Sequence, residues 1–383
     1  MSVAITNATI IIGDGTKLDK GTIVIEQGMI TAVGTDIDLS HVKKVIDANG
    51  KFVTPGIIDV HTHLGVHEEG IGKEGADYNE TSSPLTPHVR SLDGINPLEV
   101  GFEIARRSGV TTVQIMPGSA NVIGGEMVTI KTTGTIVDKM ILREPSGMKA
   151  AFGENPKRVF GTKDKSPVTR MGLAALLRQQ FMQAQDYKKA REHDSSCKRD
   201  LGLENLVKVL DGKIPLRAHA HRADDIVTVL RLANEFGIQV TIEHCTEGHK
   251  IAPFLKEKGV RVSVGPTLSS RSKVETAEKG FHTLLALAEA GVPFSITTDH
   301  PVVNIEYLIT TVSHAVRSGL DESLAWMSVT LNAAKHLGVD DHVGSLEAGK
   351  DADIVLWNGD PLDIHRSRVE KTWIDGVVVF EAE

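Results

Sequence analysis

Between residues 97 and 299 the chain repeats one pattern: a helix-forming stretch closed by glycine, then a run of β-branched residues. Residues 97–108 end at Gly109 ahead of 110–115. Residues 224–236 end at Gly237 ahead of 238–244, and 284–290 end at Gly291 ahead of 292–299. Runs at 214–219 and 260–264 are of the same kind. Glycine supplies the left-handed conformation that ends a helix, and a β-branched run directly after it is a strand. Such alternation builds a mostly parallel sheet covered by helices. Roughly eight units in about 290 residues suit a (β/α)8 TIM barrel. A doubly wound sheet is the alternative, but no glycine-rich dinucleotide turn follows any strand. The charged stretch 167–199 reads as a solvated helical insertion.

The two chain ends differ from this middle. Segments 4–12 and 21–33 are short strands broken by Gly-Asp-Gly and Gln-Gly turns, and 352–357 and 371–379 mirror them around a second glycine turn. Each set is too small for its own core. They are therefore expected to form one β-sandwich domain from residues 1–55 and 345–383, flanking an α/β barrel at 56–344.

Several classes are excluded by composition. A formal net charge of -8 with no basic stripe argues against a nucleic-acid surface. Cys197 and Cys245 give no disulfide framework, so a reducing compartment is expected. Residues 1–7 lack the basic and apolar regions of a signal peptide, and no apolar run reaches spanning length. The expectation is a cytoplasmic protein with a small-molecule substrate, no nucleic-acid or membrane partner, and homo-oligomerisation left open.

The polar residues at the strand ends carry the chemistry. After Thr54-Pro55-Gly56 the strand Ile57-Ile58-Asp59-Val60 runs into His61-Thr62-His63. Side chains two apart on a strand share a face, so both imidazoles point the same way. His219 closes a later strand with His221 two residues on, His244 closes the next, and Asp299 the last. Barrel active sites lie at the C-terminal strand ends. Imidazoles and a carboxylate gathered there from separate strands form a ligand set for a divalent metal.

The chain resembles the amidohydrolase superfamily, and within it the imidazolonepropionase-related metal-dependent hydrolases. The resemblance rests on residues 53–63, on Arg217-Ala218-His219-Ala220-His221, Ile242-Glu243-His244 and Thr298-Asp299, and on the run 344–355 that returns the chain to the β domain. It implies a (β/α)8 barrel flanked by a β-sandwich. It also implies His61, His63, His219, His244 and Asp299 as ligands of one or two divalent ions, zinc ahead of manganese or iron. Such an ion brings the pKa of bound water to about 7, and Asp299 would shuttle the proton to the leaving nitrogen. Hydrolysis of an amide or cyclic amide in a small, peptide-like molecule follows. The alternatives are an esterase or phosphotriesterase-like hydrolase on the same centre, and a non-catalytic scaffold.

Two residues compete for the fourth-strand position. Lys149 sits in an apolar run, as does the carboxylated lysine that bridges two metals in many relatives. Glu154 lies just past that strand, like the glutamate of superfamily deacetylases. Alternation puts 149, 151 and 153 on one face and leaves Glu154 to a turn. Deaminases and imidazolonepropionases of the superfamily carry a glutamate three residues after the fifth-strand histidine. Here that residue is Arg222, which counts against both activities. His221 and Arg222 are expected to bind an anionic group of the substrate, with a salt bridge from Arg222 to Asp224 or Asp225 as the plain alternative. The loops 67–70, 88–93, 118–126 and 269–271 are candidates for specificity. Alternation turns Cys245 away from His244, and His282 is expected to be structural.

Overall fold

The structure, a computed structural model, describes residues 2–162 and 165–383. Met1 of the expected terminal segment lies outside them. The chain opens with β1 (Ser2–Ile11), β2 (Lys17–Glu26), β3 (Met29–Gly34), β4 (Lys44–Asp47) and β5 (Phe52–Pro55). Then come β6 (Ile57–Thr62), α1 (Val100–Arg107), β7 (Val110–Ile115), β8 (Ile123–Lys131) and β9 (Ile141–Ala151). Three helices, α2 (Glu154–Gly161), α3 (Arg170–His193) and α4 (Leu201–Leu210), lead to β10 (Leu216–Ala220). Single helices then separate the strands: α5 (Ala223–Phe236), β11 (Val240–His244), α6 (Ala252–Lys258), β12 (Arg261–Val264), α7 (His282–Glu289) and β13 (Phe294–Ile296). The chain closes with α8 (Leu308–Arg317), α9 (Glu322–Met327), α10 (Leu331–Leu337), β14 (Ile354–Trp357), β15 (Val369–Ile374) and β16 (Val377–Glu381).

Strands β6 to β13 lie side by side in sequence order. The ring is nearly closed where His63 N donates to His300 O at 2.9 Å and Thr62 bridges His300 in parallel. This is the α/β barrel expected, with one departure. β8 runs antiparallel to both β7 and β9, and no α-helix separates it from either. Its first residues, Ile123-Gly124-Gly125-Glu126, read as part of a glycine-rich loop, yet they are buried strand. The glycine answers to space: Gly125 has φ +122°, and a Cβ there would lie 2.5 Å from Val89 O. The loop crossing above the strand leaves no room for a side chain.

The ends of the chain build the second sheet, in the order β16-β15-β14-β5-β1-β2-β3, with β4 also paired to β1. Ile5, Ile23, Val53, Leu356 and Trp373 form part of its own apolar cluster. It abuts the floor of the barrel, the N-terminal strand ends, beside β6–β8. There Lys131 Nζ, at the lower end of β8, pairs with Asp351 at 2.7 Å, Asp353 at 3.2 Å and Asp375. The barrel is entered through Gly56, where a Cβ would fall 2.0 Å from Thr111 Oγ1, so only glycine lets β6 lie so near β7.

The insertion at 167–199 is only half solvated. Leu173, Leu177, Phe181 and Ala184 make a buried stripe along α3, and the Phe181 ring lies 5.2 Å from that of Phe236 on α5. Among the described residues no helix is long and apolar enough to cross a membrane.

Candidate metal centre

Five buried histidines converge at the C-terminal end of the barrel: His61 from β6 and His63 just past it, His219 and His221 at the end of β10, and His244 from β11. Ring centroids are 4.6 Å apart for His61–His244, 4.4 Å for His219–His244 and 4.7 Å for His219–His221. Asp299, just past β13, brings Oδ1 to 3.4 Å from His61 Nε2 and 3.3 Å from His63 Nε2. Two sets of possible ligand atoms lie within 4.8 Å of one another: His61, His244 and Asp299, and His219, His221 and His244.

Backbone conformation brings His244 into this group. Strict alternation would send His244 away from the side that Glu243 faces. His244 has φ +72° and Asp299 has φ +54°, a region that side-chain-bearing residues rarely adopt. Leaving extended geometry lets Glu243 and His244 both point inward. Cys245 also has positive φ, at +45°, and is fully buried; burial pushes its thiol up to about 12, so it is inert.

Most of the rings are oriented through Nδ1. His63 Nδ1 is 2.8 Å from Met116 O, His244 Nδ1 2.7 Å from Gly265 O, and His221 Nδ1 2.7 Å from Thr246 Oγ1. His61 Nδ1 lies 3.2 Å from Glu243 Oε2. Glu243 is itself held by Thr241 Oγ1 at 2.8 Å, Ser263 Oγ at 2.5 Å and His336 Nε2 at 3.1 Å. Burial opposes its charge, but His336 and His61 outweigh that and hold the carboxyl well below its usual range. This arrangement leaves Nε2 for the centre, as in histidines that bind metal.

Burial, reinforced by neighbouring positive charge, also keeps four of the rings neutral. It lowers His61 to about 3 and His244 to about 4, and pushes His219 and His221 well below the ordinary imidazole value. Burial disfavours the Asp299 carboxylate, yet the bond from His63 and the fields of His61 and His244 hold it ionised. Neutral imidazoles and a carboxylate are the protonation states that metal binding requires. His219 supplies the fit: both its ring nitrogens are buried without a hydrogen-bond partner. An orphaned buried imidazole is costly unless something occupies the space beside it.

Of the two fourth-strand residues, the structure brings Lys149 to the group and not Glu154. Lys149, fully buried on β9, places Nζ 3.3 Å from His61 Nε2 and 3.0 Å from Met116 Sδ. Burial lowers its pKa to about 8. Glu154 begins α2 and turns to the loop after β12, where its Oε1 accepts from Glu275 N at 3.1 Å. His221 joins the centre itself. Arg222 does not line the cavity; it forms a two-pronged pair with Asp224 at 2.9 and 2.8 Å on the exposed start of α5.

Above the histidines opens a cavity of about 590 Å³. From the loops singled out in the sequence it receives His67, Ser119, Ser269 and Ser270, whereas Arg90 is engaged with Asp93 and Glu144. Sequence reasoning missed Tyr78, Asn155, Arg158, Lys273 and Lys279, which also line it. Lys273 Nζ reaches Glu275 Oε1 at 3.0 Å, Asn155 Oδ1 at 3.1 Å and His221 Nε2 at 3.4 Å. The two lysines follow Ser269–Arg271 in one loop, so extending that loop to α7 would have found them.

The family model for the amidohydrolase family matches residues 52–379. Amidohydrolase tasK of Hapsidospora irregularis is 32% identical over 94% of this chain, which spans 40% of that protein's length. The imidazolonepropionase of Rhizobium meliloti (strain 1021) is 24% identical over 91% of this chain and 86% of its own. The crystal structure of an amidohydrolase from Thermotoga maritima MSB8 matches with TM-score 0.96 and 42% identity, over 99% of this chain and 100% of that one. A prolidase complexed with n-methylphosphonate-l-proline shares the fold at TM-score 0.65 and 18% identity, with full coverage of both chains. These matches place the protein among hydrolases of carbon–nitrogen bonds, and the chain belongs to the amidohydrolase family.

Proposed function

We propose that the protein is a metal-dependent hydrolase of amide or cyclic-amide bonds in small molecules that carry an anionic group. The observation that supports it best is the convergence of five buried imidazoles with Asp299 and the Lys149 amine beneath an open cavity. His61, His63, His219, His244 and Asp299 would hold one or two divalent ions, zinc first. When bound, such an ion supplies water of pKa about 7 and polarises a carbonyl.

The chain's own residues do the rest. Asp299 Oδ1, held between His61 and His63, takes the proton of the attacking water and returns it to the leaving nitrogen. Lys149 has no carboxylate within 4.0 Å among the described residues. In its unprotonated form that amine can add carbon dioxide, losing one proton, to give a carbamate that would help hold the ions. Lys273, Lys279 and Arg158 at the mouth favour a substrate carboxylate or phosphate.

The test is metal content by elemental mass spectrometry, paired with turnover of N-acyl amino acids, dipeptides and lactams against matched esters. We expect two ions per chain, about one or fewer in Lys149→Ala, and amide turnover that chelation abolishes. Turnover unaffected by exhaustive chelation, or confined to esters, would overturn the reading.

A further inference from the structure

A second cavity, of about 660 Å³, opens at the other end of the strands that carry the histidines. Arg217, Thr241 and Arg261 lie next to one another in register across β10, β11 and β12. Arg143 from β9, Asn234 and Gln239, Lys258 from the end of α6, and Lys335 and His336 from α10 complete its polar wall. No residue of the terminal sheet lines it, so that sheet leaves this half of the floor uncovered.

The charged side chains that line it are all cationic. No aspartate or glutamate lines it, in a chain whose formal net charge is -8. Two of the cations are engaged with backbone. Arg143 Nη1 donates to Leu337 O at 2.6 Å and Gly338 O at 3.2 Å. Arg217 Nη2 donates to His336 O at 2.9 Å and Ser146 O at 3.2 Å. Lys258 has the neighbouring Glu257 at 3.1 Å. Arg261 and Lys335 have no carboxylate within 4.0 Å among the described residues, although Asp340 acts on Arg261 from farther off. Behind them, His336 is buried with Nε2 on Glu243 and Nδ1 unpartnered. Leu230, Ile238 and Val260 supply an apolar side.

Cations of one sign around a concave wall repel one another and concentrate a field that favours an anion. A guanidinium beside an ammonium suits an oxyanion with more than one charge, and the apolar side suits a carbon skeleton. We propose that this floor cavity binds a small organic dianion, a phosphate monoester or a dicarboxylate, between Arg261 and Lys335. The site is separate from the catalytic one. Its back wall nevertheless stands two hydrogen bonds from His61, through His336–Glu243 at 3.1 Å and Glu243–His61 at 3.2 Å.

The experiment is calorimetric titration of the zinc-loaded full chain with glycerol 3-phosphate and, separately, succinate. Wild type is compared with Arg261→Gln, Lys335→Gln, and Lys273→Gln at the mouth of the upper cavity. We expect, beside any binding at the upper mouth, a saturable equivalent that survives Lys273→Gln and is weakened about tenfold by either floor substitution. Tighter binding of glycerol 3-phosphate marks a phosphate ligand, and tighter binding of succinate a dicarboxylate. Lys335 is exposed, so its variant keeps the test valid should Arg261→Gln fold poorly. Heat that vanishes in Lys273→Gln and persists in both floor variants would overturn the proposal. So would the absence of saturation by either anion below roughly 10 mM.

Discussion

At the upper rim of the barrel burial strips His61, His219 and His244 of charge, whereas on the floor Arg217, equally buried, is lowered only to about 10 and stays cationic. An imidazole starts near neutrality, so losing its solvent is enough to make it a neutral donor of electron pairs. A guanidinium starts far above it and is satisfied instead by carbonyl oxygens, here those of Ser146 and His336. The same strands thus end in lone pairs at one face and in positive charge at the other. Glu243 stands between the two layers, accepting from His61 above and His336 below.

The sharpest test of the upper face is Asp299→Asn, which keeps the shape and removes the proton acceptor. Turnover should fall by about three powers of ten while most metal is retained, read by kinetics and elemental analysis on one preparation. Next come His219→Ala and His244→Ala. Each removes a nitrogen offered to the centre and should empty most of it; full occupancy in both would take them off the ligand list.

The floor responds in stability instead. Arg217→Met would leave the Ser146 and His336 carbonyls without their donor, at a cost of about 2–4 kcal/mol in denaturant unfolding. If metal content in that variant fell as far as in His219→Ala, the two faces would not be independent. The smallest effect is expected from Arg222→Ala. Its pair with Asp224 is exposed, so stability should move by less than about 0.5 kcal/mol and turnover by less than about twofold. A tenfold rise in KM would restore Arg222 to substrate binding.

Periodicity made much of this legible. Glycine caps marked α5 and the strand after it, and the period of two gave His61 with His63 and grouped Lys149 with 151 and 153 on one face. It failed where backbone conformation or tertiary crowding overrides a local pattern. The left-handed turn at His244 cannot be read from alternation, because histidine carries no conformational signature of that kind. β8 was hidden because one of its glycines, Gly125, answers to a loop distant in sequence, at Val89. The choice between Lys149 and Glu154 hinged on the turn at Gly153, whose φ of +85° swings the chain toward Glu275. Lys131 carried no mark in the sequence, yet it ties the two sheets together through three aspartates.

The reversed strand also bears on how the barrel is made. Parallel neighbours can pair only after a helix has crossed back over the sheet, so their contacts wait for long stretches of chain to close. β7, β8 and β9 form a meander of consecutive antiparallel strands and need no such crossing. Local pairing of this kind is fast relative to distant pairing. As a hypothesis, pulse-labelled hydrogen exchange during refolding should find these amides protected first, and simultaneous protection of all the barrel strands would sink it. Met116, just beyond β7, and Lys149, on β9, would then meet before any histidine arrives. The buried amine of Lys149 would then belong to a part of the ring whose strands pair without a helical crossover.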